Sequence, residues 1–569
     1  MFTLHEPIDE SVRAALAEHD DLTAALLARR GVQGAKDAAT FLSPSYDEHL
    51  ADPLRITDME KAAKRLAQAI LAKERIAVWS DYDCDGIPAG VVLHDFLRKV
   101  GADFENYIPH RHLEGYGVNR TGIEALAARG AKLVVTADVG ITDVDAVLRA
   151  NELGMEVIVT DHHLPAEMLP PAYAVVNPNA RADELSPFRG FCGAGVAWKL
   201  VCATLAVSPE LRTRVPFGWE KWLLDMAGFA TIADMVPLSG ENRVIASYGL
   251  RVLRKSPRIG LQKLCAVARV NQRTLTEDDV GFMLAPRLNA ASRMGDPRDA
   301  FRLLTTDDEG EADMLAKKLE KANRERRSSA GAITREVHGR LKDRSELPAV
   351  IAMGNPEWRP ALLGLVANGI AETYERPVFL WGREANLSLK GSCRSDGRVH
   401  VTELMTAARE TFVEFGGHAF SGGFTVRDDT VFSLEARLVE AHLSLPAREN
   451  ADARMQADAA LSLTEVTDVL LARIEKLAPF GEGNPKPIFL IRDADITKVA
   501  WFGKGEEHLK VALLRDGSPL EAVSFYAKRE LGNSVADLAA GACITLLANI
   551  ERDQFSRGQP VRLRILALA

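Results

Sequence analysis

Short apolar runs that each stop at an acid or a histidine, separated by segments of helical period, constrain the fold of this chain more than any other feature. Residues 59–75 (MEKAAKRLAQAILAKER) place apolar side chains at helical spacing, Ile76–Trp79 is a short apolar run stopped at Asp81, and Val91–Val100 is helical again. Leu133–Thr136 ends at Asp138, Val144–Leu153 is helical, and Val157–Thr160 ends at Asp161. Strands joined by helices at this spacing are βαβ units, which make a parallel sheet covered by helices. Ligands of such sheets bind beyond the carboxyl ends of the strands, where this chain delivers carboxylates and imidazoles.

Asp81-Tyr82-Asp83-Cys84-Asp85-Gly86 holds three acids at alternate positions. In an extended segment alternate residues face one way, so the three acids share a side and repel one another. A cation relieves that repulsion, and oxygen-rich sites suit Mg²⁺ or Mn²⁺; the same string also fits a solvated acidic turn. A calcium loop is excluded, since it needs a glutamate six positions after the glycine, where Val92 stands. Asp138 alone fits a helix cap as well as a ligand, and so does Asp234 in TIADMVPL. In Asp161-His162-His163, adjacent imidazoles of an extended chain point to opposite sides, so at most one meets a given metal and the other is left for substrate or for a ligand's outer surroundings. Four such deliveries in one α/β unit suit two divalent ions, an arrangement fitted to phosphoester hydrolysis.

The chain has 569 residues, enough for roughly three or four domains. Its hydrophobic content of 47% and charged content of 26% exclude a disordered or collagen-like polypeptide. A net charge of −9 excludes a generic nucleic-acid-coating protein but leaves room for a local basic groove. Six scattered cysteines without a C-x-x-C pair, and an N-terminus lacking a basic start and apolar run, suit a reducing cytoplasm. Apolar stretches are broken by charge before the ~18 residues of a membrane span. Residues 311–345 read as a polar, helix-favouring linker, which divides the chain into 1–310, 311–345, 346–452 and 453–569. In the third part Ala349–Met353 and Val378–Leu380 are strand-like and residues 415–424 are glycine-rich. In the last, Ile488–Ile491, Leu509–Leu514, Ala522–Phe525, Ile544–Ala548 and Val561–Leu566 make about five strands, which suits a small barrel such as the OB-fold. Lys317, Lys318, Lys321, Arg324, Arg326 and Arg327 in the linker fit a solvated helix face or a phosphate track. Trp501, Phe525 and Tyr526 fit base stacking or barrel core.

DYDCDG (81–86), TADVG (136–140), DHH (161–163) and Asp234 resemble the four motifs of the DHH phosphoesterases. YIPHRHLEGYGVN (107–119), APRLNAASRMGD (285–296), GSCRS (391–395), FGGH (415–418) and PFGEGNPKP (479–487) narrow the resemblance to the RecJ exonuclease family, from about residue 40 to the end. The resemblance implies an α/β chain: a parallel-sheet DHH domain, a long linking helix, a smaller α/β DHHA1 domain and a C-terminal β-barrel of OB type, with no further C-terminal domain. It implies a 5′→3′ exonuclease specific for single-stranded DNA, using two Mn²⁺ or Mg²⁺ ions and releasing 5′-mononucleotides in recombination and repair. By the same resemblance Asp83, Asp85, Asp138, His162 and Asp234 are metal ligands, Asp138 bridging both ions and Asp81 a further or outer carboxylate. His163 stands beside the scissile phosphate, and with Asp138 and Asp83 it is assigned to the chemical step. Arg287, Ser392 and Arg394 match positions that hold the 5′-phosphate, Arg111, Tyr116 and Asn119 line the strand near its first nucleotides, and Gly416, Gly417 and His418 present backbone N–H groups and an imidazole. The implied protein is a cytoplasmic monomer with no membrane attachment, whose partners are a single-strand-binding protein and a helicase. Ile87-Pro88-Ala89, Val139, Ser292, Trp358-Arg359-Pro360 and Ser421 depart from the usual family pattern without removing a ligand. Shorter DHH relatives that cleave small oligonucleotides or cyclic dinucleotides, and non-catalytic replication scaffolds, are the alternatives.

Overall fold

The computed structural model describes residues 2–569 apart from 182–185, 187, 384–387, 447–454, 504, 537, 554–555 and 557–559. The boundary drawn at 452/453 lies outside the described residues. Among those described, no helix is long and apolar enough to cross a membrane.

Strands β1 (Ile76–Ser80), β2 (Phe104–Tyr107), β3 (Leu133–Ala137), β4 (Glu156–Thr160) and β5 (Ala174–Val176) form one sheet in the order β2-β1-β3-β4-β5. Every pair in it is parallel. Helices α1 (Met59–Leu71), α2 (Gly86–Val100), α3 (Arg120–Ala128), α4 (Val144–Glu152) and α5 (Gly193–Val207) cover it. Ile76, Val78, Leu133 and Val135 pack toward α1, α2 and α5, while Ala77, Trp79 and Val134 pack toward α3 and α4. That period-two division is why these runs are apolar throughout: both faces are buried. β2 and β5 carry no such signal in the sequence, since FENY is an only half-buried edge and β5 has three residues.

The chain leaves β1 toward β2 and returns across it to β3, so strand order reverses between β1 and β3. The crevice of an open α/β sheet lies at that switch point. Two more helices border it, α6 (Leu224–Ala233) and α7 (Ala285–Met294).

Helix α8 (Glu309–Lys342) has 34 residues and spans about 51 Å at 1.5 Å per residue. Ala312, Leu315, Ala316 and Leu319 join the first core, and Ile333, Val337 and Leu341 join a second. The middle is polar because it crosses between two cores. The second unit holds β6 (Ile351–Gly354), β7 (Val378–Arg383), β8 (Leu389–Arg394), β9 (Phe412–Gly417) and β10 (Ser421–Val426), in the order β9-β10-β8-β7-β6. Only β6 and β7 pair in parallel. Helix α9 (Pro360–Tyr374) packs on this sheet through Leu362, Leu363, Val366 and Ile370.

The C-terminal strands β11 (Phe489–Phe502), β12 (His508–Arg515), β13 (Ser518–Ser524), β14 (Cys543–Arg552) and β15 (Val561–Leu568) close into a five-stranded barrel, β11 pairing with both β12 and β14. The sequence reading ends the first of these strands at Ile491; the structure extends it to 14 residues. It slips register at Ile491/Ala494 and Ile496/Lys498, and Asp493 has φ 52°. Such bulges bend one strand enough to serve both edges of a small barrel.

Candidate active site

The carboxyl end of β1 runs into the acidic string. Asp83 Oδ1 accepts the N–H groups of Asp85 (2.8 Å) and Gly86 (3.0 Å), which starts α2. Pro88 falls in the first turn of α2, where a missing N–H costs nothing. Gly86 is required by close approach, since a Cβ there would lie 2.5 Å from Asp81 Cβ. Beyond β3, Asp138 adopts φ 65°, a conformation rare outside glycine and asparagine. The N-terminus of α5 faces it, and a Cβ on Gly193 would lie 2.4 Å from Asp138 Cβ. The N–H groups of Gly193 (2.5 Å) and Ala194 (2.8 Å) hold the Asp85 carboxylate.

Beyond β4, His162 Nε2 sits among three acids: 3.2 Å from Asp138 Oδ1, 3.6 Å from Asp85 Oδ2 and 3.8 Å from Asp234 Oδ2. Asp234 is the residue that ends α6. Three groups have ligand atoms within 4.8 Å of one another: Asp138, His162 and His163; Asp85, His162 and Asp234; Asp81, Asp83 and Asp138. All six sequence-assigned ligands are therefore brought together. Among the described residues Asp81 Oδ1 is buried without a hydrogen bond, and Asp138 Oδ1 is buried with only the His162 imidazole beside it. Buried carboxylate oxygens left bare are costly unless a cation meets them, so the donor set fits divalent metal. Asp138 and His162 each belong to two of the groups.

Burial, reinforced by neighbouring carboxylates, pushes Asp81 and Asp138 well above the usual carboxylate range and raises Asp85. Burial and the charges of Asp85 and Asp83 bring Asp234 to about 9. Groups whose folded pKa is raised keep protons that the unfolded chain releases, so stability falls as pH climbs from the usual carboxylate range toward 9. A divalent ion favours the ionised forms and reverses this. The melting temperature of chelator-treated protein is thus expected to drop between about pH 6 and about pH 9, and Mn²⁺ to raise it most at the alkaline end. Calorimetry showing no effect of Mn²⁺ at either pH would remove the metal reading.

Asp161 faces the other way from this cluster. Its oxygens accept the N–H groups of Ile141 (3.0 Å), His162 (2.7 Å) and His163 (3.1 Å), and Oδ1 lies 2.8 Å from His163 Nδ1. Burial alone would raise Asp161, but the hydrogen bond and charge of His163 and the backbone donors hold it below the usual range. His163 answers in kind: burial opposes its charge, yet the Asp161 hydrogen bond and charge, with Asp85 and Asp234, raise it to about 9. At neutral pH it is an imidazolium with Nδ1 engaged by Asp161.

Tyr116 stands edge-on to His163 at 6.2 Å and to Tyr82 at 6.5 Å, and the Arg111 guanidinium lies 5.1 Å above the Tyr82 ring. Asn119 caps α3 through Oδ1, which accepts the N–H of Gly122 at 2.8 Å, while its Nδ2 is buried without a partner. Ser392 and Arg394 on β8 meet over α9, where a Cβ on Gly364 would lie 3.0 Å from Arg394 Nη2 and 3.6 Å from Ser392 Oγ. Arg287 is engaged elsewhere by its hydrogen bonds. It is buried, with Nε donating to Glu320 Oε2 (2.7 Å) and Nη1 to Met283 O (2.5 Å), and so anchors α7 to α8.

Arg293, six residues on, reaches the second unit instead: its Nη1 donates to Ala361 O at 2.7 Å in the first turn of α9. It makes no ion pair among the described residues, and burial with the charges of Arg111 and Arg326 lowers it to about 10. Six residues is about 1.7 helical turns, so the two arginines of APRLNAASRMGD point to different faces. Helical phase was the signal that could have separated them. Gly416, Gly417 and His418 form the exposed β9–β10 tip, where Gly417 has φ 146° and His418 N donates to Ser421 O at 2.7 Å. Lys317, Lys318, Lys321 and Arg324 pair with Asp313, Asp299, Glu325 and Glu320, as a solvated face would. In the barrel, Lys528, Arg564 and Arg529 lie over the partly exposed rings of Trp501, Phe525 and Tyr526 at 5.0, 4.6 and 5.4 Å.

Comparison with known proteins agrees with this arrangement. Residues 75–225 match the model of the DHH family N-terminal domain, 346–442 that of the DHHA1 domain and 457–567 that of the RecJ OB domain. The single-stranded-DNA-specific exonuclease RecJ of Bacillus subtilis is 33% identical over 96% of this chain and 67% of its own length. That of Escherichia coli is 32% identical over 90% of this chain and 89% of its own. The crystal structure of RecJ in complex with Mn²⁺ from Thermus thermophilus superposes with a TM-score of 0.81 at 27% identity, covering 100% of this chain and 79% of that one. A DHH sheet with its acids at the switch point, a DHHA1 unit reached by one long helix and a RecJ-type barrel, all in one chain at this level of identity, make the protein a member of the RecJ exonuclease family.

Proposed function

We propose that this protein is a metal-dependent 5′→3′ exonuclease that releases 5′-mononucleotides from single-stranded DNA in recombination and repair. The observation that carries the reading is the convergence of Asp81, Asp83, Asp85, Asp138, His162 and Asp234 at the β1/β3 switch point, with the buried Oδ1 of Asp81 left without a hydrogen bond among the described residues. The relatives named above are single-stranded-DNA-specific exonucleases, and solved relatives hold Mn²⁺ or Mg²⁺. Two such ions, when bound, supply an activated water and neutralise charge at phosphorus.

The chain's own residues do the rest. Asp83, Asp85, Asp138, His162 and Asp234 would hold the ions, with Asp81 a further carboxylate beside them. His163, cationic and held by Asp161, faces the scissile phosphate and stabilises negative charge as it develops. Ser392 and Arg394 receive the terminal phosphate, with Arg293 at the same turn of α9 in the place first given to Arg287. Arg111, Tyr116 and the unused Nδ2 of Asn119 line the path of the first nucleotides. The hairpin tip at Gly416, Gly417 and His418 and the barrel aromatics extend that path. In this reading residues 1–310, 311–345, 346–452 and 453–569 act as catalytic unit, linking helix, end-binding unit and strand-binding barrel. The free state of all six cysteines favours a cytoplasmic location. The family resemblance extends the reading to a monomer supplied by a helicase and a single-strand-binding protein.

The test is digestion of end-labelled single- and double-stranded DNA with Mn²⁺. Loss of the 5′ label first, from single strands only, is expected. Shortening from the 3′ end, or a preference for dinucleotides over long strands, would overturn the reading. Arg394→Ala is expected to cost about 2 kcal/mol, roughly 30-fold, in discrimination for a 5′-phosphate over a 5′-hydroxyl, because it removes a charged hydrogen-bond donor. Unchanged discrimination in competition kinetics would move the end-binding pocket elsewhere.

A further inference from the structure

We propose that Asn242 is a positioning residue that sets the separation between Asp85 and Asp234. Asn242 is fully buried in the helix Gly240–Leu253. Its Nδ2 donates to Gly190 O at 2.5 Å and to Pro237 O at 3.0 Å. Both partners are carbonyl oxygens, which only accept, so the orientation of the carboxamide is fixed by its neighbours. Among the described residues its Oδ1 has no hydrogen-bond partner, so these two donations are the polar contacts that hold the group.

The two carbonyls belong to two loops that deliver ligands. Gly190 lies three residues before Gly193, whose N–H, with that of Ala194, holds the Asp85 carboxylate. Pro237 lies three residues after Asp234, across a turn in which Met235 takes φ 58°. Asp85 and Asp234 meet about His162, and besides the amide of Asn242 the two sides are tied by weaker sulfur contacts, Cys84 Sγ to Ala233 O at 3.8 Å and Cys192 Sγ to Thr231 Oγ1 at 3.6 Å. The amide of Asn242 is therefore a two-pronged staple between the backbones behind the two acids. Phe188 fixes the same junction from its apolar side: Cβ atoms on Gly190 and on Gly240 would each lie 2.9 Å from its ring. Leu238 N, donating to Glu482 O at 2.8 Å, braces the Pro237 side against the barrel loop.

Freed from the staple, the Asp234 loop relaxes away from Asp85, because Pro237 O and Gly190 O lose their shared donor. The group of Asp85, His162 and Asp234 then loses geometry, while that of Asp81, Asp83 and Asp138 does not touch Asn242 and keeps its own. The inference rests on the reading of these residues as metal ligands. Outer groups that orient ligands commonly govern metal affinity by 10–100-fold.

The experiment is calorimetric titration of Mn²⁺ into wild type, Asn242→Ala and Asn242→Ser, well below each melting temperature. Two ions in wild type, with one weakened about 10–100-fold in Asn242→Ala and the other unmoved, is expected. Asn242→Ser, which keeps one donor, should lie between, and it is the variant read if the alanine form does not fold. The Mn²⁺ concentration for half-maximal cleavage should rise in parallel, with kcat at saturating Mn²⁺ changed only a few-fold. Asn549→Ala is the control: its Nδ2 makes a similar buried tie to Pro487 O (2.7 Å) in the barrel, so it should lower stability and leave both affinities alone. Wild-type affinity for both ions in a folded Asn242 variant, or equal weakening of both, overturns the proposal. A wild type that binds no ion overturns the site reading instead.

Discussion

Replacing Asp138 with Ala is expected to abolish measurable cleavage while single-stranded DNA is still bound. Asp138 is the one carboxylate common to two of the three ligand groups, it is buried, and its backbone is held at φ 65° to aim it inward. Its loss leaves neither neighbouring group complete. Charge stabilisation by bound metal is worth several kcal/mol, and forfeiting about 4 kcal/mol slows the reaction on the order of 10³-fold. Binding persists because Arg111, Ser392 and Arg394 lie in other elements and keep their positions. Single-turnover digestion with saturating Mn²⁺, beside a filter-binding measurement, reads both quantities. Cleavage within tenfold of wild type would count decisively against a shared ligand at this position.

Replacing His163 with Gln should lower kcat by about 10²–10³-fold with little change in KM, the size expected when one preorganised donor to a developing oxyanion is removed. The pH profile supplies the sharper test. Held by Asp161, His163 titrates at about 9 rather than near its ordinary 6.5. The raised value means that its charge is present at neutral pH and is lost as pH rises through 9. Wild-type kcat should therefore fall on that alkaline limb, and the Gln variant should lack the fall. By the same linkage, the His163–Asp161 pair stabilises the fold fully between the usual carboxylate range and about 6.5, loses the His163 contribution by about 9 and loses that of Asp161 in acid. Asp161→Asn should move the limb toward neutrality without removing it. An alkaline limb that persists unchanged in His163→Gln would assign the charge to another group.

The runs ending in Asp81, Asp138 and Asp161 were legible because strands buried on both faces must be apolar throughout, and a polar residue that stops one stands at the sheet's edge. The barrel was legible from the spacing of its strands, but not the length of β11, since bulges let charged residues lie within a continuous strand. The half-buried β2 and the three-residue β5 carry too little periodicity to be read. The start of α2 at Gly86 was hidden because a helix's first turn tolerates proline and needs no apolar face. Resemblance placed Arg287 at the end-binding pocket; helix phase turns it onto Glu320 and turns Arg293 toward α9.

The sequence by itself determined the ligand chemistry and the parallel sheet, because both follow from residue type and local period. Only the tertiary structure decided which of two arginines meets the second unit and that one buried asparagine joins the backbones behind two ligands. Those depend on directions and distances between segments far apart in the chain, and local pattern carries no record of them.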